Sequence, residues 1–113
     1  MNLIPAMVRG GVAEVDGGGR LPLPASLKVA DGREVTYGIR PEHLAAGGEG
    51  LSGTVAVVEP TGSETHVVLR AGGRDLVAMF RDRVGVRPGD ALTFAPDAEK
   101  VHLFDRASGV RLG

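Results

Sequence analysis

Turn-forming residues recur along this chain at short intervals, and their spacing restricts its fold more than any other feature. The 113 residues include 18 Gly and 7 Pro, spread through the sequence rather than gathered in one tail. They cut the apolar residues into short segments about every eight to twelve residues, the rhythm of an all-β sandwich or barrel. Candidate strands run over Ala6–Val15, Arg20–Leu23, Arg33–Arg40, Leu51–Glu59, Thr65–Arg70, Asp75–Phe80, Ala91–Phe94 and Lys100–Phe104. "AGGR" at 71–74 is a hairpin signal, because Gly accepts the positive φ of tight turns. "RPGD" at 87–90 reads as a Pro-Gly turn leading into the next strand.

Helix has little room. Only "PEHLAA" at 41–46 suggests a helical turn: Pro41 brings the preset φ of a first helical position, and Glu42 suits the positive end of a helix dipole. Arg40 precedes proline and is pushed to extended geometry. The stretch "YGIRPEHL" at 37–44 therefore reads as a strand end redirected by Pro41 into a surface turn carrying Glu42 and His43.

Composition then removes several functions. Thirteen Lys and Arg against fourteen Asp and Glu give a net charge of −1, with no asymmetry between the chain's two parts. No basic field for nucleic acid or an anionic membrane is present. The aromatic set is Tyr37, Phe80, Phe94 and Phe104, three of them inside apolar segments, which is thin for a single-strand stacking platform. Without Cys there is neither a disulfide framework nor a thiolate metal site. No signal peptide is expected from the opening residues, and no apolar run approaches the ~20 residues of a membrane span. His43, His66 and His102 lie far apart and lack metal-ligand spacing. No Ser sits in G-x-S-x-G, so a hydrolytic triad has no support. A phosphate-binding loop needs Gly-Lys-Ser/Thr; the only lysines, Lys28 and Lys100, each precede Val, and there is no Gln. The chain by itself is expected neither to bind nor to hydrolyse ATP.

Several short motifs point in one direction. "YGIRPEHL" resembles the "GIRPEH" signature of the C-terminal regulatory domain of ABC importer ATPase subunits of the maltose and glycerol-3-phosphate class, the TOBE domain. It brings Gly38, Arg40, Pro41 and Glu42 into that family's pattern. "MNLIPA" at 1–6 resembles the family's entry segment, and "VAVVEPTGSETHVVL" at 55–69 its strand-turn-strand, with Glu59 and Gly62. "VRPGD" at 86–90 resembles its Pro-Gly-Asp turn, with Gly89 and Asp90. "VHLFDRASGVRL" at 101–112 resembles its closing segment, with Phe104, Asp105 and Gly109. Each motif alone is weak; five in order, over nearly the whole chain, are specific.

The resemblance implies an OB-like (TOBE/MOP-type) Greek-key barrel with one short helical turn. It also implies a non-catalytic regulatory and dimerising role, with these residues structural rather than catalytic. The family's nucleotide-binding domain is absent, so residues 1–113 are expected to be one excised TOBE-like domain, and Mg-ATP is expected only in that missing domain. The implied partners are a second copy in a weak homodimer, the nucleotide-binding domain, through it the transporter's membrane subunits, and a regulatory protein; nucleic acid is not among them. The implied location is cytoplasmic, peripheral to the inner membrane. Arg40 is expected to pair with Glu59 across the barrel. Related domains in molybdate systems bind oxyanions, which makes a small-ligand sensor the alternative, with "TGSET" at 61–65 its best site; a stand-alone OB-type nucleic-acid binder is the further alternative.

Overall fold

The computed structural model describes residues 1–81 and 85–113, with backbone alone for 48 and 49. Nine strands form two antiparallel sheets: β1 (Asn2–Arg9), β2 (Val12–Val15), β3 (Arg20–Pro22), β4 (Glu34–Ile39), β5 (Leu44–Pro60), β6 (Thr65–Ala71), β7 (Arg74–Phe80), β8 (Ala91–Pro96) and β9 (His102–Asp105). One sheet runs β3-β2-β1-β4-β9 and the other β7-β6-β5-β8. The fold is all-β and OB-like.

Period-two alternation explains how the sheets meet. In β1, residues Asn2, Ile4, Ala6 and Val8 point inward while Leu3 and Arg9 face out. β4 contributes Val35, Tyr37 and Ile39, β6 contributes Val67 and Leu69, and β7 contributes Leu76, Ala78 and Phe80 to the same buried cluster. Fully burying one such side chain stabilises by about 1.5–3 kcal/mol, so this shared layer is the main force holding the sheets together. Tyr37 is buried among them, and its hydroxyl donates to the Pro22 carbonyl at 2.6 Å. Burial pushes that phenol well above its usual range.

Three elements differ from the sequence expectation. The single strand expected over Ala6–Val15 is a hairpin: Arg9 pairs with Val12, and Gly10 and Gly11 turn the chain at φ 58° and 80°. The "AGGR" turn repeats this geometry, with Gly72 and Gly73 at φ 57° and 78° between the paired Ala71 and Arg74. Positive φ at both central residues matches the right-handed strand twist, and only Gly takes it freely. The helical turn expected over 41–46 stops early: Pro41–His43 is a 3-10 turn, and Leu44–Ala46 already pair with Phe94–Pro96 of β8. A second 3-10 turn, Ala98–Lys100, precedes β9; Asp97 caps it by accepting the Glu99 N–H at 3.1 Å.

β5 serves both halves of its sheet. Its first part lies against β8 and its second against β6, with register shifts between Ala46 and Leu51 and between Val55 and Val57. Bulges of this kind bend a strand and re-aim its later residues. The β5–β6 hairpin closes at Gly62, φ 87°, with the Thr61 N–H donating to the Glu64 carbonyl at 2.8 Å. A Cβ there has open space, so the penalty is conformational alone. Gly62→Val is expected to lower stability by about 1–3 kcal/mol. Chemical denaturation checks this, and an unchanged midpoint would show that the turn tolerates a branched residue.

Candidate functional site

The motif residues do not converge on one catalytic centre. Most sit at the corners where strands change direction, while Gly38, Glu59, Phe104 and Asp105 lie within strands. Arg40 follows β4 with φ −76° and ψ 149°, the extended geometry that a following proline imposes. Its carbonyl accepts the His43 N–H at 3.0 Å, and Leu44 N–H returns to the Pro41 carbonyl, closing the turn. Glu42 is exposed on that turn. The His43 carbonyl accepts the Asp97 N–H at 2.9 Å, which ties the "RPEH" corner to the end of β8.

The expected pairing of Arg40 with Glu59 is wrong. Glu59 lies exposed on β5 opposite His66, in the other sheet, and no ion pair among the described residues joins it to Arg40. Arg40, just after β4, lies on the side of His102 and Arg111, and its charge helps hold the His102 imidazole below its usual range. Desolvation of that ring is the largest cause, followed by Arg111, Arg40 and His43. Arg111 donates from Nη2 to His102 Nδ1 at 2.9 Å, so His102 is a neutral imidazole with its proton on Nε2.

Gly38 lies on the outer face between Met1 and Phe104. A Cβ there would stand 3.2 Å from Met1 Sδ and 3.2 Å from the Phe104 ring, so the family's glycine leaves room for these two side chains. The "RPGD" corner is held by its acid: the Arg87 N–H donates to Asp90 Oδ2 at 2.9 Å, and Gly89 takes φ 96°. Gly89 N–H and Asp90 carbonyl bond Val55 at 2.7 and 2.8 Å, anchoring the corner to the β5 bulge.

The closing segment is organised by Asp105. Its Oδ2 accepts the Ser108 N–H and the Ser108 hydroxyl, each at 2.8 Å, while Gly109 turns at φ 77°. The Ser108 backbone bond first, then its hydroxyl, hold this carboxyl below the ordinary carboxylate range. Arg106 follows and reaches back over the first sheet, donating to the Ala6 carbonyl at 2.6 Å and lying 3.4 Å from Asp16.

Sequence reasoning missed two contributors. Asn2 is 9% exposed, and its amide forms a two-way bond with β7: Nδ2 donates to the Val77 carbonyl and Oδ1 accepts the Val77 N–H, both at 2.8 Å. The signal was the polar residue at the inward phase of an alternating strand. Arg106 is the other; nothing local in sequence marks it. Among the described residues no group of three or more His, Cys, Asp or Glu is placed to hold a metal ion. No helix among them is long and apolar enough to cross a membrane.

Comparison with known proteins agrees with these corners. A family model described as the TOBE domain matches residues 37–104, from the "YGIRPEH" corner through Phe104. The chain belongs to the TOBE domain family. A second model, the MalK OB fold domain, matches residues 1–44. Together the two matches cover both sheets of this TOBE chain. An uncharacterized ABC transporter ATP-binding protein of Sinorhizobium fredii is 45% identical over 115 residues, covering 99% of this chain and 31% of that protein. The sn-glycerol-3-phosphate import ATP-binding protein UgpC of Cereibacter sphaeroides is 40% identical over 116 residues, covering 99% and 32%. The trehalose/maltose import ATP-binding protein MalK of Thermococcus litoralis is 41% identical over 87 residues, covering 69% and 23%. The chain thus spans about a third or less of these relatives. Among solved structures, the cytoplasmic molybdate-binding protein ModG with molybdate bound superposes with a TM-score of 0.75 over 96% of this TOBE chain and 95% of that one, at 22% identity. That likeness establishes the shared fold.

Proposed function

We propose that this TOBE chain is a non-catalytic regulatory and dimerising module of the ATP-binding subunit of an ABC importer for a sugar or a glycerol-3-phosphate-like solute. The observation that carries the reading is coverage: 99% of the chain aligns with under a third of ABC ATP-binding proteins, among them a glycerol-3-phosphate importer subunit. ATP binding and hydrolysis then belong to the portion of such proteins that this sequence does not match. Association with membrane subunits on the cytoplasmic side passes through that portion.

The outer face of the first sheet supports the dimerising part. Met1 and Leu3 are 57% and 56% exposed, and Met1 packs beside Gly38 and Phe104. A patch of this size is too small for a standard interface of about 1,200 Å² or more, so it supports only weak pairing. A dissociation constant in the micromolar range or weaker is expected, about −8 kcal/mol or less favourable. Two-fold symmetry would bring Leu3 to the contact from both copies, so Leu3→Glu acts twice. Sedimentation from low micromolar to high micromolar concentration should show a rising average mass that Leu3→Glu abolishes. A strict monomer up to millimolar concentration overturns the dimerising role.

A second reading, oxyanion sensing, is favoured by the fold likeness to a molybdate-bound protein. "TGSET" is a poor site for it: the Thr61 hydroxyl donates to the Glu64 carbonyl at 3.2 Å, and His66 faces Glu64 at 3.4 Å. Calorimetry with molybdate decides, since micromolar binding would put sensing ahead of dimerisation.

A further inference from the structure

The corner between β4, the Ala98–Lys100 turn and the segment after β9 forms an open cleft of about 350 Å³. Its titratable side chains are Arg40, His43, Glu99, Lys100, His102 and Arg111, with the Ser26 hydroxyl and Gly113 beside them. Three permanent cations thus line it with one acidic side chain, in a chain whose net charge is −1. Among the described residues none of the three has a carboxylate partner within 4 Å, while four other arginines pair with carboxylates elsewhere. Like charges brought together without a counterion repel; desolvation first, then the nearby Arg111 and Arg40 charges, hold the His102 imidazole below its usual range.

Two ring nitrogens of residues in this lining bear on its polarity. His43 Nδ1 is buried and makes no hydrogen bond. An unpaired buried polar atom costs about 1–3 kcal/mol, and natural folds seldom leave one without a reason. His102 Nδ1 is occupied by Arg111, so its Nε2–H is left to donate. Pro24, Leu27 and Val101 supply apolar wall beside these groups. The volume falls at the small end of ligand pockets.

The geometry points to a binding site for a small phosphate monoester, its dianionic group held between Arg40, Lys100 and Arg111 and its body against Leu27 and Pro24. Planar guanidinium forks match phosphate oxygens two at a time, and a lysine adds a compact charge. A bare anion would meet the cations and leave the apolar wall unused. The inference does not rest on the importer reading; it would hold for this chain in any parent protein.

Titrate the chain with inorganic phosphate and with phenyl phosphate, followed by calorimetry and by the His102 imidazole resonance. Saturable binding is expected for both, tighter for phenyl phosphate, and the His102 midpoint should rise as the anion offsets Arg40, Arg111 and His43. Lys100→Gln and Arg40→Gln alter exposed side chains, so both variants should fold normally and bind roughly tenfold more weakly. Arg87→Gln removes an exposed cation on a different corner and should leave binding unchanged. No saturation at roughly 10 mM, or equal loss in all three variants, overturns the site. Tighter binding of inorganic phosphate than of phenyl phosphate overturns the ester and its apolar subsite.

Discussion

Gly50→Val should destabilise this protein by about 3–4 kcal/mol, a large share of the roughly 5–15 kcal/mol available to a small domain. A Cβ on Gly50 would fall inside the van der Waals envelope of the Phe94 carbonyl oxygen, with Ala95 Cα at 3.0 Å and the Phe94 carbonyl carbon at 3.1 Å. All three atoms are backbone of β8, so no side chain can swing away. Phe94 is fully buried and faces both Ala46 and Leu51, because β5 skips register there. Relief would require moving β8 off β5 and opening the core around that ring. Gly47→Ala, four positions from Leu51, is the control: φ is 86° but nothing lies within 4 Å, so only about 1 kcal/mol is expected. Urea unfolding of the two variants separates steric from conformational cost. Equal midpoints would show that β5 does not cross β8 as closely as this.

Asn2→Ala should cost about 2–4 kcal/mol, or about 10 °C or more in melting temperature. Its amide satisfies both backbone groups of Val77 on β7, an edge strand of the second sheet, from the first strand of the other. Alanine leaves that N–H and carbonyl unpaired in a nearly buried position, and each such group costs about 1–3 kcal/mol. The amide also blocks an edge that could otherwise pair with another chain. Asn2→Asp keeps an acceptor for the Val77 N–H but sets a carboxylate against the Val77 carbonyl, so it should be no milder than alanine. Hydrogen exchange at the Val77 amide is the specific readout. Protection there that survives Asn2→Ala would mean another group satisfies Val77.

The strands were legible because apolar alternation and turn residues are local. "AGGR" and "RPGD" produce their turns from residues adjacent in sequence, and Pro41 redirects the chain where its fixed φ requires. The Gly10–Gly11 turn was equally local but was masked by alternation running unbroken from Ala6 to Val15. The Asp97 cap before β9 carried its signal in a single residue, which is weak among loop residues.

The candidate sites were less legible. The Arg40–Glu59 pairing failed because both residues end apolar segments, and sequence order does not say that β4 and β5 enter different sheets. The basic cleft gathers Arg40, Lys100, His102 and Arg111 from segments about sixty residues apart, and no spacing rule joins them.

The sequence by itself determined the all-β class and the "AGGR" and "RPGD" turns, which rest on neighbours within a few positions, and the family, which rests on five short motifs in order along the chain. Only the tertiary structure decided that Asn2 clamps Val77 across 75 residues, that Gly50 clears the Phe94 carbonyl, and which cations share a cleft. Those depend on strand order and register, which arise from how two alternating faces bury each other over the whole chain.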